Sequence, residues 1–273
     1  MKNMSKVILI TGASSGMGRA TAELFASIGY TVYAATRDIK AFDKNSPINA
    51  IEMDLTSQQS IDRAIEEIVK RHKRIDILVN NAGYGLVSSV EDVTEEEMTE
   101  QYNINVFGLL RVTKSVIPLM REQKSGIIIN ISSFLGKIGL PLLALYNSSK
   151  YAVEGITDSL RYELKDFNIR VHSIMPGFFD TKFARENLVV NKKTFEQSSP
   201  YASITSNLAP MIVEQINNGN SPKEVALMIY EIVQNPNFNA HATVGDKAKK
   251  FIPMKKELSD EDFERRVIEY YNL

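Results

Sequence analysis

Tyr146 and Lys150 stand four residues apart at the start of a stretch with helical periodicity, so their side chains share one helix face. A phenol beside a primary amine can give or take a proton if its acidity is raised. From a reference pKa near 10 it must fall by about 3 units, or about 4 kcal/mol, to exchange protons near neutrality. An ammonium about 4 Å away supplies about 1 kcal/mol in water and about 4 at an effective dielectric of 20. The pair is therefore an acid/base device only inside a partly dried cleft. Thirteen residues upstream, Ser133 follows the apolar run 127–131, and the carboxyl ends of such strands form the ligand crevices of open α/β sheets. Tyr–Lys spacing alone says little; the serine behind a strand is what singles this pair out.

A second site type is written at the amino-terminal end. The apolar run 7–10 leads into Thr11-Gly12-Ala13-Ser14-Ser15-Gly16-Met17-Gly18-Arg19 and then a helical pattern. Gly12, Gly16 and Gly18 allow a tight turn close to a pyrophosphate. Ser14, Ser15 and Met17 lie where the following helix presents its N–H groups and positive dipole end to that anion. A plain strand–turn–helix packed with small residues has the same glycines, and only the strand–loop–helix context favours the cradle. The spacing is G-x3-G-x-G rather than G-x-G-x-x-G. The end of the second strand should meet an adenosine ribose, where an acid would bind two hydroxyls and repel a 2′-phosphate. Thr36 and then Arg37 stand there. A guanidinium fork matches phosphate, so NADP is expected over NAD. Asp38 next door works against that preference, and a solvated arginine is the plain alternative.

These groups need elements to hold them. Apolar runs at 7–10, 31–35, 51–53, 75–79, 127–131, 170–174 and 242–244 predict strands, several without alternation, as in a parallel sheet covered on both faces. Segments 19–28, 57–71, 94–123, 146–167 and 222–234 carry apolar residues at helical spacing. Thr56 or Ser57 caps the second of these, and Ser221-Pro222 opens the last. Strands alternating with helices predict an α/β fold, a single doubly wound parallel sheet of Rossmann type with helices on both faces. One domain over 1–273 is expected, with 178–220 an irregular, aromatic-bearing substrate lid and 240–273 a carboxyl-terminal extension. The link after Arg37 is short and polar, and Pro47 limits any helix in it.

Composition narrows the function further. Lys plus Arg number 32 against 33 Asp plus Glu, for a net charge of −1, without the basic excess that nucleic-acid binding calls for. Cysteine is absent, which excludes disulfides, thiolate zinc and a Cys nucleophile. Three scattered histidines predict no metal site. The run 7–10 is too short for a signal-peptide core, and no stretch approaches a membrane span, so a cytoplasmic chain is expected.

Taken together, Gly12-x3-Gly16-x-Gly18, Asn80-Asn81-Ala82-Gly83, Asn105, Ser133, Tyr146-x3-Lys150 and Pro176-Gly177 resemble the short-chain dehydrogenase/reductase family in order and spacing over about residues 5–182. Val244-Gly245-Asp246-Lys247-Ala248 is similar to a segment of its 17β-hydroxysteroid and retinol dehydrogenase branch. The resemblance implies that Tyr146 donates the proton in reduction and accepts it in oxidation. Lys150 would hold the nicotinamide ribose and lower the phenol's pKa, and Ser133 would hydrogen-bond the reacting carbonyl oxygen. It implies that Asn105 holds a relay water next to Lys150, and that Asn81, Ala82 and Gly83 line the cofactor. Asp54 and Leu55 would border the adenine, and Pro176, Gly177 and Thr181 the carboxamide. Ser15 stands where some NADP-preferring members place a basic residue, and of the adjacent Ser132 and Ser133 the spacing selects Ser133. In similar proteins the helices 94–123 and 146–167 form the self-association face, which implies a homo-oligomer.

The expectation is an NADP(H)-dependent oxidoreductase acting on a small-molecule carbonyl or alcohol. Leu135, Ile138, Leu140, Leu142, Leu143, Phe178, Phe179 and Phe183 surround the chemistry in sequence; if half face the cleft, the substrate is apolar. The main rival is a non-catalytic dinucleotide-binding sensor or scaffold, which has no physical need for Ser133, Tyr146 and Lys150 together. An epimerase of the extended group would want a larger carboxyl-terminal domain, and a serine hydrolase would want a G-x-S-x-G elbow, which is missing. Elsewhere, 91–100 reads as a solvated acidic helix start, His72 as solvated and His172 as a packed strand residue. Lys247, Lys249, Lys250, Lys255 and Lys256 around Phe251, Ile252 and Met254 read as a solvated loop, with contact to an anionic surface as the alternative.

Overall fold

The computed structural model describes residues 5–43, 45–183 and 187–273. Continuous Val/Ile/Leu runs with no polar face bury on both sides, and they form the strands β1 (Val7–Thr11), β2 (Thr31–Thr36), β3 (Ile48–Glu52), β4 (Ile77–Asn80), β6 (Gly126–Ile131) and β7 (Ile169–Pro176). With β9 (His241–Val244) they make a seven-stranded parallel sheet in the order β3-β2-β1-β4-β6-β7-β9. The α/β doubly wound architecture is thus as expected. The order reverses direction between β1 and β4, so the crevice of the sheet opens there.

Helices α1 (Gly16–Ser27) and α7 (Lys223–Gln234) cover one face, where Phe25, Val225 and Ile229 bury against Ile8, Ile10 and Val32. Helices α2 (Gln58–His72), α4 (Leu109–Gln123) and α5 (Ala144–Glu163) cover the other, with Ile61, Ile68, Val112 and Val116 against Leu9, Leu78 and Ile128. Each such side chain contributes about 1.5–3 kcal/mol when fully buried. Ser57 caps α2 by accepting from Ser60 N. The acidic run behaves as expected: Thr94 and Glu97 form a capping box at the start of α3 (Glu95–Tyr102). His172 is a buried strand residue whose Nδ1 meets Asn239 O at 2.9 Å.

The structure departs from the pattern in three places. The helix expected over 94–123 is broken by a π-helical segment, Asn103–Gly108, between α3 and α4; such segments are invisible to apolar periodicity and gather at functional sites. The segment 178–220, expected to be irregular, contains β8 (Leu188–Val190), paired in parallel with β5 (Gly85–Val87), and the helix α6 (Ala202–Asn217); residues 184–186 of it lie outside the described residues. Thr205, Leu208, Ile212 and Ile216 give α6 its buried stripe, masked in sequence by Pro210 and the polar residues between. Thr194 and Lys193 tie this segment down through hydrogen bonds to Ser89 N and Asp92 Oδ2 and an ion pair with Asp92. The lysine-rich stretch is not a loop but helix α8 (Asp246–Glu257), because Phe251 is 1% exposed and packs against Phe134 and Tyr271. It is followed by α9 (Asp260–Tyr271). With α6, these helices build a third apolar cluster at the carboxyl end of the sheet.

Candidate active site

The glycine loop follows β1 directly. Gly12 has φ +61°, and a Cβ there would lie 2.7 Å from Ala82 Cα, so only glycine lets the ends of β1 and β4 approach this closely. Asn81 locks the approach: its Nδ2 donates to Thr11 O and Gly12 O at 2.9 and 3.0 Å. A Cβ on Gly18 would fall 2.5 Å from that same Nδ2. Two of the three glycines therefore serve close packing of β1 on β4, beyond the approach to phosphate for which the sequence suggested them. Gly12→Ala is expected to cost about 1–3 kcal/mol in backbone strain on top of the clash, seen as a Tm several degrees below the parent's. An unchanged Tm would contradict it.

The cradle fits a pyrophosphate on the protein's own evidence. Ser15 stands at the N-cap of α1 in extended conformation, makes no side-chain cap hydrogen bond among the described residues, and the first turn holds no acidic residue. Among the described residues no N-cap side chain occupies the first N–H groups of α1, and a helix start left in this way suits an anion. Ser14 and Met17 flank this turn. Across the groove, Thr181 packs against Gly16, 3.3 Å from where a Cβ would sit. Arg37 is exposed at the end of β2, while the neighbouring Asp38 carboxylate caps Lys40 N at 2.9 Å. Asp54 and Leu55 follow β3; Thr56 hydrogen bonds hold the Asp54 carboxyl below its usual value, helped by Arg37 and Arg111.

Ser133, Tyr146 and Lys150 come from two elements. β6 ends at Ile131, and because successive side chains of extended chain point apart, Ser132 and Ser133 diverge. Ser132 turns back to α5, where its hydroxyl donates to Lys150 O at 3.4 Å. Ser133 caps the next turn by accepting from Leu135 N and lies beside the Tyr146 phenol, whose ionised form it favours. Tyr146 and Lys150 lie on consecutive turns of α5, with Nζ 5.7 Å from the phenol ring centroid. The Lys150 ammonium donates to Ile131 O at 3.0 Å. The π segment delivers Asn105, whose Nδ2 donates to Tyr84 O and Ser149 Oγ and whose Oδ1 accepts from Tyr84 N. A Cβ at Gly83 would sit 3.1 Å from Asn105 Oδ1 and 3.6 Å from Lys150 Nζ, so those groups close around bare backbone.

The expected lowering of the phenol by the lysine is not produced by the protein's own groups. Burial pushes Tyr146 up to about 12, with Ser133 pulling against it. Burial also pulls Lys150 down to about 8, opposed by Glu154. The dry surroundings that strengthen an attraction also penalise the phenolate, and here the penalty is the larger effect.

Beside Ser133 and Tyr146 opens a cleft lined almost wholly by apolar side chains. Of the eight apolar residues singled out, Leu135, Leu143, Phe178, Phe179 and Phe183 line it; Ile138, Leu140 and Leu142 pack into the third cluster instead. Pro176, Gly177 and Thr181 line it together with Met17. Leu188, Ile212 and Ile216 complete the wall. Nothing chemical in the sequence marked these three; the spacing of Leu208, Ile212 and Ile216 was the available signal. Arg37, Asp54 and Leu55 lie at the far side of the sheet's crevice, away from the cleft lining.

A doubly wound sheet with a glycine cradle at its switch point, and a serine, tyrosine and lysine beside an apolar cleft, defines an oxidoreductase of the Rossmann class. The chain belongs to the short-chain dehydrogenase/reductase family: the family model described as short chain dehydrogenase matches residues 6–189. It is 36% identical over 255 residues to a 3-ketodihydrosphingosine reductase of Bacteroides thetaiotaomicron, covering 91% of this chain and 93% of the relative. A solved short-chain dehydrogenase from Streptomyces avermitilis superposes with a TM-score of 0.84 at 29% identity, over 100% of this chain and 97% of its own. A 3-ketoacyl-(acyl-carrier-protein) reductase from Brucella melitensis, solved with NADH, gives 0.71 at 26% identity over 88% of this chain and 96% of its own. The protein is thus an enzyme of this family rather than a scaffold.

Proposed function

We propose that the protein is an NADP(H)-dependent reductase of a ketone carried on an apolar, extended molecule. The observation that carries this reading is the convergence of Ser133, Tyr146 and Lys150 at a cleft walled by Phe178, Phe183, Leu188 and Ile216. The groove floored by Gly12, Gly16 and the start of α1 would hold the dinucleotide, with Pro176, Gly177 and Thr181 at its nicotinamide end. When bound, the reduced cofactor supplies hydride. Tyr146, held protonated by burial, gives its phenolic proton to the carbonyl oxygen as negative charge develops there. Ser133 donates a hydrogen bond to the same oxygen and keeps it facing the phenol. Lys150, as an ammonium, stabilises the phenolate left behind. A phenol that is protonated at rest suits reduction better than oxidation.

The choice of NADP rests on this chain's residues: exposed Arg37 follows β2 where an acid would exclude the 2′-phosphate, and Asp38 is committed to its own turn. Similarity to a 3-ketodihydrosphingosine reductase supports the apolar class. Phe107, Leu110, Tyr151 and Tyr162 are exposed along the π segment, α4 and α5, which supports self-association through those helices. The test is turnover over a panel of ketones graded in chain length, with NADPH and NADH in parallel. Catalytic efficiency should climb with chain length, by up to about tenfold for each pair of buried methylenes. A preference for short polar ketones or sugars would refute the apolar reading.

A further inference from the structure

Behind the tyrosine–lysine pair lies a buried charged cluster that the proposed chemistry does not use. Glu154, one turn beyond Lys150 on α5, is 3% exposed. A carboxylate taken out of water costs several kcal/mol unless it is paired. Its ion-pair partners come from two directions. His241 on β9 places Nδ1 3.0 Å from Oε2, and Lys137, just past the serine turn, places Nζ at 3.3 Å. Ser132 at the end of β6 and Ser173 on β7 lie beside it and favour its ionised form. His241 is itself held by Asp158 at 2.9 Å and Ser173 at 2.8 Å, and faces neutral, buried His172.

The cluster touches the active site at one point. A Cβ on Gly136 would sit 2.8 Å from Ser132 Oγ, 3.0 Å from Lys150 O and 3.2 Å from Glu154 Cγ. The turn that Ser133 caps is thus pressed onto the turn of α5 that carries Lys150. An aliphatic side chain would pack at position 154 with no desolvation cost. An ion retained there acts through its charge.

We propose that Glu154 is a positioning residue for proton transfer, its carboxylate clamping the serine turn to α5 and keeping Lys150 an ammonium ion. This rests on the reading of Tyr146 and Lys150 as the proton-transfer pair. The sign follows from the groups present. Burial favours neutral Lys150 and Glu154 opposes it; without the carboxylate charge, Lys150 loses its proton at lower pH. Reduction should therefore fall off earlier as pH rises.

The experiment compares the parent with Glu154→Gln and Glu154→Asp, measuring kcat against pH at saturating NADPH and the best ketone of the panel. A proton NMR titration follows His241, one of only three histidines. In the parent the alkaline limb should lie near 8. In Glu154→Gln it should move acidward, with KM for NADPH unchanged, and the His241 titration should drop toward its ordinary value. Glu154→Asp, which keeps the charge, should restore both in part. A folded Glu154→Gln protein with the parent's limb and the parent's His241 titration overturns the inference. If that variant does not fold, Ser132→Ala decides: an unchanged kcat overturns the clamp, and a severalfold loss at constant KM for NADPH supports it. A parent with no turnover on any carbonyl refutes the proposed function, and the inference falls with it.

Discussion

Tyr146→Phe is expected to lose at least about a thousandfold in kcat/KM, the upper part of the range for removing a positioned acid, while NADPH affinity stays within about threefold, under 1 kcal/mol. The separation follows from what the variant removes. The ring stays 6.4 Å from that of Phe183 and under the Lys150 ammonium, so packing of the cleft is preserved. Lys150 keeps its hydrogen bond to Ile131 O, and the glycine cradle lies on other elements. Only the phenolic O–H disappears. Turnover by NADPH absorbance and binding by NADPH fluorescence, measured on one preparation, give the two readouts. Retention of more than about a tenth of parental turnover would show that another group supplies the proton.

Arg37→Asp should reverse the coenzyme preference, lowering kcat/KM with NADPH by about a hundredfold and raising it with NADH. Hydrogen bonds to a charged group contribute about 1.5–3 kcal/mol each, and a carboxylate in place of the guanidinium adds repulsion toward a 2′-phosphate. It also adds an acceptor for the ribose hydroxyls of NADH. The position tolerates the change because Arg37 is exposed after the last residue of β2 and no core contact depends on it. The ratio of the two efficiencies is the measurement. A ratio that stays put, or a parent that already favours NADH, removes the basis for NADP.

Much of the site could be read from residue spacing because the relevant distances are short along the chain. Tyr146 and Lys150 meet through the helical repeat alone, and Gly12, Gly16 and Gly18 lie in one loop. Ser133 is different: its choice over Ser132 becomes physical only when β6 ends against α5 and the two hydroxyls point opposite ways. The π segment that delivers Asn105 has the same apolar pattern as the helices around it. The cleft wall of Leu188, Ile212 and Ile216 was hidden because prolines and polar residues break up the pattern of that segment.

By itself the sequence determined the parallel α/β sheet, the glycine cradle and the pairing of Tyr146 with Lys150 on one helix face, since periodicity and local spacing dictate which faces bury and which side chains share one. Tertiary structure decided which of those groups are charged and what lies in front of them. Burial sets the ionisation of Tyr146 and Lys150, and burial depends on residues brought together from distant parts of the chain. Glu154 meets His241 only because β9 joins the sheet beside β7. Desolvation is a property of the packed surroundings, and no local pattern of residues encodes it.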